Sequence, residues 1–187
     1  MFSERQYGCV FCRTGREYDV VTHLSHIADN VNAVVPAKIR YRRSHGLATE
    51  ERVVLFPGYV FFESSSDLNI REKIFQKDIY RILTNTDGDW RLQGIDKEVA
   101  RQFISIGGTV ALSKAYYDGD RIRIIDGFLK QYEGKIVRVN HRAKTAQIIV
   151  PLDGKQFSLW VGFEVITKCD DKEVLLGGCK TTDRFGK

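Results

Sequence analysis

The segment Leu55-Phe56-Pro57-Gly58-Tyr59-Val60-Phe61 places a Pro-Gly pair between two apolar runs. Proline presets its own φ and glycine accepts positive φ, so the pair predicts a tight turn. The flanking runs, Arg52–Leu55 and Tyr59–Phe62, are rich in β-branched and aromatic residues. They predict two strands paired across that turn.

The second of these strands carries large side chains on both faces. Because side chains alternate along a strand, Tyr59 and Phe61 share one face and Val60 and Phe62 share the other. One face must pack on helices, and the other remains available for a partner. We expect Tyr59 and Phe61 to be the exposed pair, although both could instead be ordinary core residues.

Upstream and downstream of this segment, the pattern predicts an α+β domain over residues 1–108 with an antiparallel sheet and helices. Its predicted parts begin with a first strand ending near Cys12, a helix after the capping box Thr14-Gly15-Arg16-Glu17, a strand over Val31–Val35 and a polar basic stretch over 38–51. They continue with a short helix near Ser66 and Asp67 and a hairpin of Ile79–Leu83 with Trp90–Leu92 around Asp87-Gly88. The last part is a helix that begins near Asp96, buries Val99, Phe103 and Ile106, and stops at Gly107-Gly108.

Residues 109–117 have no clear periodicity and predict a linker. Five short strands then follow between residues 118 and 166, which predicts a small all-β barrel. They cover Arg121–Ile125, Lys135–Asn140, Thr145–Val150, Lys155–Trp160 and Phe163–Ile166, with Asp153-Gly154 as one of the turns. Residues 167–187 are expected to be a polar tail.

Composition narrows the function classes. The 187 residues are 43% hydrophobic and carry a net charge of +5, which suits one large or two small globular domains and favours a polyanionic partner. No apolar run is long enough to span a bilayer, and no secretory signal is recognisable, so we expect a cytoplasmic protein without membrane association.

No catalytic or metal-binding constellation stands out. The chain lacks a phosphate-binding loop, a His-Glu-x-x-His motif and a nucleophile elbow, so we expect a non-enzymatic protein without a cofactor. Cys9 and Cys12 lie three residues apart on a predicted strand, and their thiols should diverge. Cys169 and Cys179 lack the spacing of a zinc knuckle, so no metal site is expected.

Two motifs carry a family resemblance. Gly119–Gly127 followed by Gly134–Val139 resembles a KOW motif, which transcription factors of the NusG family and several ribosomal proteins share. The segment Leu55–Phe61 resembles the signature of the NusG N-terminal domain. Their order implies an N-terminal domain of the NusG type followed by an SH3-like KOW barrel.

The resemblance also implies a function. NusG-type N-terminal domains bind the clamp helices of the largest subunit of bacterial RNA polymerase and reduce pausing. The residues that match the polymerase-binding motif in this chain are Phe11, Phe56, Pro57, Tyr59 and Phe61. The expected protein is a monomeric transcription elongation or antitermination factor.

Two departures from the pattern of housekeeping NusG proteins favour a specialised paralogue of the LoaP or RfaH type. Phe128 stands where housekeeping members commonly carry proline, and Lys135 and Arg138 stand where they tend to carry acidic residues. The alternatives are a housekeeping NusG that couples polymerase to Rho or a ribosomal protein, and a ribosome-associated RNA-binding protein with a KOW domain.

Basic residues suggest nucleic-acid contacts in both domains. In the first domain, positions matching Arg13 and His23 contact non-template DNA in RfaH-type paralogues. The candidate set there is Arg13, Arg16, His23, Arg40, Arg42 and Arg43, although a solvated face or local ion pairs with Glu50 and Glu51 would explain the same pattern.

In the barrel, the candidates for binding an RNA hairpin form one expected positive surface. They are Lys130, Lys135, Arg138, Arg142 and Lys144. Tyr132 and Phe128 are candidates for stacking on an RNA base, although Phe128 could instead plug the barrel end.

Overall fold

The computed structural model of the chain describes residues 5–27, 30–44, 47–64, 74, 76–85, 87–119 and 121–166. Its elements, in chain order, are β1 (Gln6–Cys12), α1 (Glu17–Ile27), β2 (Val31–Val34), β3 (Ala37–Ser44), β4 (Leu47–Val54), β5 (Tyr59–Ser64), β6 (Ile79–Ile82), α2 (Gly94–Ser105), β7 (Thr109–Val110), β8 (Ser113–Asp118), β9 (Arg121–Asp126), a 3₁₀-helix (Phe128–Lys135), β10 (Ile136–Asn140), β11 (Thr145–Leu152) and β12 (Lys155–Val165). The short helix predicted near Ser66 and Asp67 lies outside the described residues.

The N-terminal domain is built on a four-stranded antiparallel sheet in the order β2-β5-β1-β6. Strand β5 is internal, and its register with β1 sets Tyr59 opposite Phe11 and Phe61 opposite Cys9. All six residues of β5 are buried. This strand therefore has covered side chains on both of its faces.

The predicted pairing of the strands on either side of Pro57-Gly58 is wrong. Strand β4 pairs with β3 along its full length, in a smaller sheet of order β4-β3-β7. The turn is present: the Tyr59 amide donates to the Phe56 carbonyl at 3.0 Å, and Gly58 has a φ of 82°. This geometry is that of a type II turn. The turn connects β4 in the smaller sheet to β5 in the four-stranded sheet and does not close a hairpin.

Within the stretch 38–51, predicted only to be polar and basic, residues 38–44 and 47–51 belong to the β3–β4 pair. Its charges do not prevent strand formation because they complement one another across the pair. Arg40 is directly opposite Glu51, and their side chains form an ion pair at 2.6 Å. Opposite charges at facing positions stabilise antiparallel strands.

Helix α1 begins at Glu17, in the region that the capping-box motif predicts. The Glu17 carboxylate is buried and accepts two backbone amides at 2.8 Å, one from Gly15 and one from Gly58. The first bond satisfies an amide just before the helix, and the second comes from the turn before β5. One carboxylate therefore fastens the start of α1 to the turn that redirects the sheet.

Helix α2 buries Val99 and Phe103, as its periodicity predicts. The predicted burial of Ile106 is wrong, because this residue follows the helix and is 40% exposed. Gly107 and Gly108 have φ angles of 66° and 78°, in a region that residues other than glycine rarely adopt. The helix therefore ends at Ser105, and Ile106 no longer follows the helical periodicity.

The turn at Asp87-Gly88 is confirmed, but only one of its predicted flanking strands forms. The Asn85 side-chain oxygen accepts the amides of Asp87 at 3.0 Å and Asp89 at 2.9 Å, which holds the turn. The segment 90–92 is not a strand. Trp90 is nevertheless buried, and its ring stacks on Phe62 with centroids 5.5 Å apart.

The C-terminal domain is a curled five-stranded sheet in the order β10-β11-β12-β8-β9. The predicted linker over 109–117 is wrong: β7 pairs with β3 in parallel, and β8 is an internal strand of this second sheet. The two strands predicted over 155–166 form the single strand β12. The order leaves β9 and β10 at the sheet edges, whereas a fully closed barrel would pair them.

Cys9 and Cys12 are both buried on β1 and belong to different apolar clusters, so their thiols diverge as predicted. Across the described ranges, no helix has the length and apolar character that crossing a membrane would require.

The carboxylate of Glu17 provides a direct test of this architecture. Replacing Glu17 with Ala should lower the free energy of unfolding by about 1–3 kcal/mol, because two amides lose their acceptor and that of Gly58 is buried. Chemical denaturation followed by circular dichroism measures this difference. Asp19→Asn, at an exposed acid on the same helix, is the matched control and should cost less than about 1 kcal/mol. Equal losses in the two variants would contradict the assigned role.

Candidate docking face and domain interface

The two faces of β5 separate as the alternation predicts. Tyr59 and Phe61 belong to one buried cluster, together with Phe56. Val60 and Phe62 belong to the other, with side chains of α1. The expectation that Tyr59 and Phe61 are exposed is wrong, because their exposed fractions are 2% and 0%.

Helix α2 covers the inner part of the Tyr59 face. Phe103 on this helix packs edge-on against Phe56, with ring centroids 5.5 Å apart, and it lies 5.9 Å from Phe61. Both rings would stay in contact with α2 if the C-terminal domain were absent. Phe61 is consequently part of the core of the N-terminal domain.

The C-terminal domain covers the outer part of the same face. Phe157 on β12 packs edge-on against Phe56 and Tyr59, at centroid distances of 5.0 and 5.6 Å. The apolar cluster that contains these rings is continuous from the first sheet into the second. The second domain thereby completes the burial of an aromatic face that the first domain leaves partly covered.

A carboxylate from the β11–β12 turn reinforces this contact. Asp153 and Gly154 have φ angles of 55° and 69°, as a type I′ turn requires. The Asp153 carboxylate accepts the Tyr59 hydroxyl at 3.1 Å and forms an ion pair with Arg81. The Asp153 amide in turn donates to the Asp96 carboxylate at 3.3 Å. We call these contacts of Asp153 the clasp.

Burial shifts the protonation equilibria around the clasp. Burial, followed by the hydrogen bond to Asp153, raises the pKa of Tyr59 to about 12. The phenol therefore keeps its proton, which it donates to Asp153, throughout the neutral range. Burial also raises the pKa of Asp96 above its ordinary value, with the nearby Asp153 charge adding to that effect.

A second contact between the domains involves the 3₁₀-helix. Phe128 lies against Phe103, with centroids 5.2 Å apart, and the Tyr132 hydroxyl donates to the Gln102 side-chain oxygen at 2.7 Å. Both Phe128 and Tyr132 are buried. In this arrangement they are not available for stacking on a nucleic-acid base, contrary to the expectation from sequence.

Part of the predicted polymerase-binding set remains accessible. Pro57 is exposed and Phe11 is half-buried. The Phe11 ring lies 4.9 Å from Tyr59 and 5.8 Å from Tyr80, and Tyr80 is 60% exposed. We call Phe11, Phe56, Tyr59 and Tyr80 the aromatic face. Phe56 and Tyr59 are its covered part, and Phe11 and Tyr80 form its open edge.

The basic candidates of the N-terminal domain lie in two places. Arg13 and Arg16 are exposed before α1, and Arg16 pairs with Asp19 at 2.8 Å. His23 is half-buried on α1, and its Nε2 has no hydrogen-bond partner among the described residues. Arg40, Arg42 and Arg43 lie along β3, where Arg40 forms the ion pair with Glu51. For Arg40, the structure agrees with the local ion-pair interpretation.

The five basic candidates of the C-terminal domain lie on the 3₁₀-helix, on β10 and in the turn after it. Lys130 donates to the Ile124 carbonyl at 2.7 Å and pairs with Glu133 at 3.4 Å. Lys135 lines a cleft of about 140 Å³ between the domains. Arg138 is exposed on β10, and Arg142 and Lys144 are exposed in the turn after it. The length of β10 thus separates Lys135 from the last two.

The fold is similar to that of a known structure. The solved structure of NusG from Thermotoga maritima, which concerns domain interaction in that protein, matches with a TM-score of 0.52 and 15% sequence identity. The match covers 85% of this chain and 94% of that one. The chain has a NusG-like fold. No protein-family model matches the sequence, and the search of curated proteins gives no match.

Within this NusG-like fold, sequence reasoning missed the residues that bring the domains together. The sequence indicated Asp153 only as part of a turn, and Arg81 and Phe157 only as members of predicted strands. Asp153 is 94 positions from Tyr59 and 72 from Arg81. A contact over that separation depends on how two domains pack, which no local spacing indicates.

The interface leads to a prediction about the shape of the protein in solution. The double variant Asp153→Asn/Phe157→Ala should separate the domains, because it removes the negative charge of the clasp and the ring that contacts Phe56 and Tyr59. Asn tolerates positive φ, so the turn should persist. Small-angle X-ray scattering should show a larger radius of gyration. Ile125→Ala, at an exposed apolar residue of β9, is the control and should match the parent. An unchanged radius in the double variant would show that these contacts do not hold the domains together.

Proposed function

We propose that this protein is a transcription elongation factor that binds the clamp helices of bacterial RNA polymerase through its aromatic face. The observation that carries the proposal is the position of this face in a NusG-like fold. Phe11 and Tyr59 are adjacent on β1 and β5, and the N-terminal domain alone does not cover them. Such aromatic patches are typical anchors of protein interfaces.

The way in which the face is covered suits a partner that replaces the C-terminal domain. The covering contacts combine a few ring packings with the polar clasp, and interfaces between domains of one chain resemble transient protein–protein interfaces. A helical partner with apolar side chains would take the place of Phe157. Polymerase binding would therefore compete with domain closure.

The proposed cellular role is that of a specialised antitermination factor in the cytoplasm, acting as a monomer without catalysis. Support comes from Phe128, which stands where proline is common in housekeeping members. Here Phe128 packs on Phe103 of α2. A departure from the housekeeping pattern thus contributes to the contact between the domains. The C-terminal sheet would act as a KOW barrel that contacts nucleic acid or a partner.

Polymerase affinity should respond in opposite directions to changes on the two sides of the interface. Phe11→Ala should weaken binding by about 1–3 kcal/mol, the range of an aromatic anchor. The Asp153→Asn/Phe157→Ala variant should bind more tightly, because the face no longer has to be uncovered. Both are measured with full-length protein and purified polymerase by biolayer interferometry. Ile125→Ala is the control and should bind as the parent does.

Phe11 is a better probe than Phe61, because truncating fully buried Phe61 would leave a cavity and reduce stability. If Phe11→Ala binds polymerase as tightly as the parent while remaining folded, the aromatic face is not the docking site. If the Asp153→Asn/Phe157→Ala variant binds no more tightly than the parent, closure does not compete with docking.

Pausing provides the functional test. Single-round transcription through a hairpin-stabilised pause, at saturating factor, should show a shorter pause with the parent than without factor. Phe11→Ala at limiting concentration should leave the pause near its factor-free duration, since less of the polymerase is occupied. A parent protein that binds polymerase without changing pause duration or terminator read-through would contradict the elongation role and leave docking intact.

A further inference from the structure

The end of the C-terminal sheet opposite the clasp carries an exposed aromatic pair. Tyr117 is 41% exposed at the end of β8, and His141 follows β10. Their ring centroids are 5.5 Å apart at an interplanar angle of 34°. The His141 Nδ1 lies 3.4 Å from the Tyr117 hydroxyl. Two elements that are distant in sequence thus place two rings side by side at the surface.

The turn that carries His141 is anchored at both ends. The Asn140 side-chain oxygen accepts the Ala143 amide at 2.9 Å, and the Lys144 carbonyl accepts the Phe163 amide at 2.9 Å. Phe163 belongs to β12, which is paired with β8, the strand of Tyr117. These bonds fix the turn over residues 141–144 to β12. The ring contact of His141 then places this turn beside Tyr117.

The same turn supplies positive charge. Arg142 and Lys144 are exposed, and over the described ranges neither has an acidic side chain within ion-pair distance. The neighbouring Arg123, by contrast, is paired with Asp118 at 3.5 Å. The aromatic pair is therefore flanked by two cations that remain available to an anionic ligand.

This surface remains open while the domains are closed. Strand β11 connects the 141–144 turn to the turn of Asp153 and has eight residues. At about 3.3 Å per residue the two turns are roughly 25 Å apart. Tyr117 and His141 make none of the contacts between the domains described above. A ligand at this end would reach the protein before the aromatic face is uncovered.

We propose that this end of the C-terminal sheet binds unpaired RNA, with one base stacked on the Tyr117–His141 pair and the adjoining phosphates held by Arg142 and Lys144. The inference rests on the proposed function, which brings the chain to a complex that produces RNA. Aromatic side chains stack bases only where these are free of a helix, as in hairpin loops and single strands. An acidic peptide would match the cations and leave the paired rings without a partner.

The test uses the full chain alone and fluorescein-labelled RNA hairpins, with anisotropy as the readout. The parent should bind a hairpin with an eight-nucleotide uridine loop more tightly than a blunt duplex of the same stem. Tyr117→Ala should lower loop affinity at least about fivefold, whereas Tyr117→Phe, which keeps the ring, should stay near the parent. Tyr18→Ala, at an exposed tyrosine of α1, is the control and should have no effect.

The contribution of Arg142 and Lys144 to RNA binding is measured from the salt dependence of affinity. In Arg142→Gln/Lys144→Gln, the log–log dependence of affinity on salt should become shallower by about 1.4, or about 0.7 for each cation that is neutralised. Arg52→Gln/Lys77→Gln changes the net charge equally at exposed positions of the N-terminal domain and should keep the parent slope. Equal slopes in the two double variants would overturn the assignment of these cations.

Several results would overturn the whole proposal. They are equal affinity for loop and duplex, an unchanged affinity in Tyr117→Ala, or tighter binding of a labelled poly-glutamate peptide than of the loop. Polymerase binding is measured separately and should be the same in Tyr117→Ala and the parent. Loss of RNA binding with polymerase binding intact would refute only this inference. Failure of the parent to bind polymerase would refute the proposed function.

Discussion

Strand β5 is buried on both of its faces, so each face needs a covering layer. This internal strand carries Val60 and Phe62 on one face and Tyr59 and Phe61 on the other, and all four are almost fully buried. Helix α1 covers the first face, while α2 covers only the inner part of the second. The aromatic residues that remain require a further layer, and the C-terminal sheet supplies it. The closed arrangement of the domains thus follows from the side chains of one strand.

The covering layer differs in character from the core beneath it. Phe61 and Phe103 pack within one domain, whereas Phe157 and Asp153 meet Tyr59 from a domain that the chain joins only through a short segment. Aromatic contacts of this kind contribute about 0.5–1.5 kcal/mol each beyond area burial. A partner surface with similar aromatic and polar contacts would replace the free energy that is lost when the domains separate. In the proposed function, the same face would bind the C-terminal domain or the polymerase in turn.

The C-terminal sheet divides its roles between its two ends. Its Asp153 turn faces the N-terminal domain, and its His141 turn faces solvent with two cations beside an aromatic pair. Strand β11 runs between them. If both proposals hold, the outer end would bind RNA while the inner end keeps the docking face covered. The positions of the positive charges therefore indicate a binding surface more specifically than the net charge of the chain does.

Local sequence patterns correctly predicted the turn at Pro57-Gly58, the position of α1, the separation of the two faces of β5, and the β-rich second domain. Each rests on contacts between near neighbours or on alternation, which short patterns encode. Tertiary packing sets which strands pair, brings residues 113–118 into the second sheet and covers Tyr59. It also brings Asp153 to Tyr59. These outcomes depend on how residues distant in sequence pack, and the energy of that packing has no local signature.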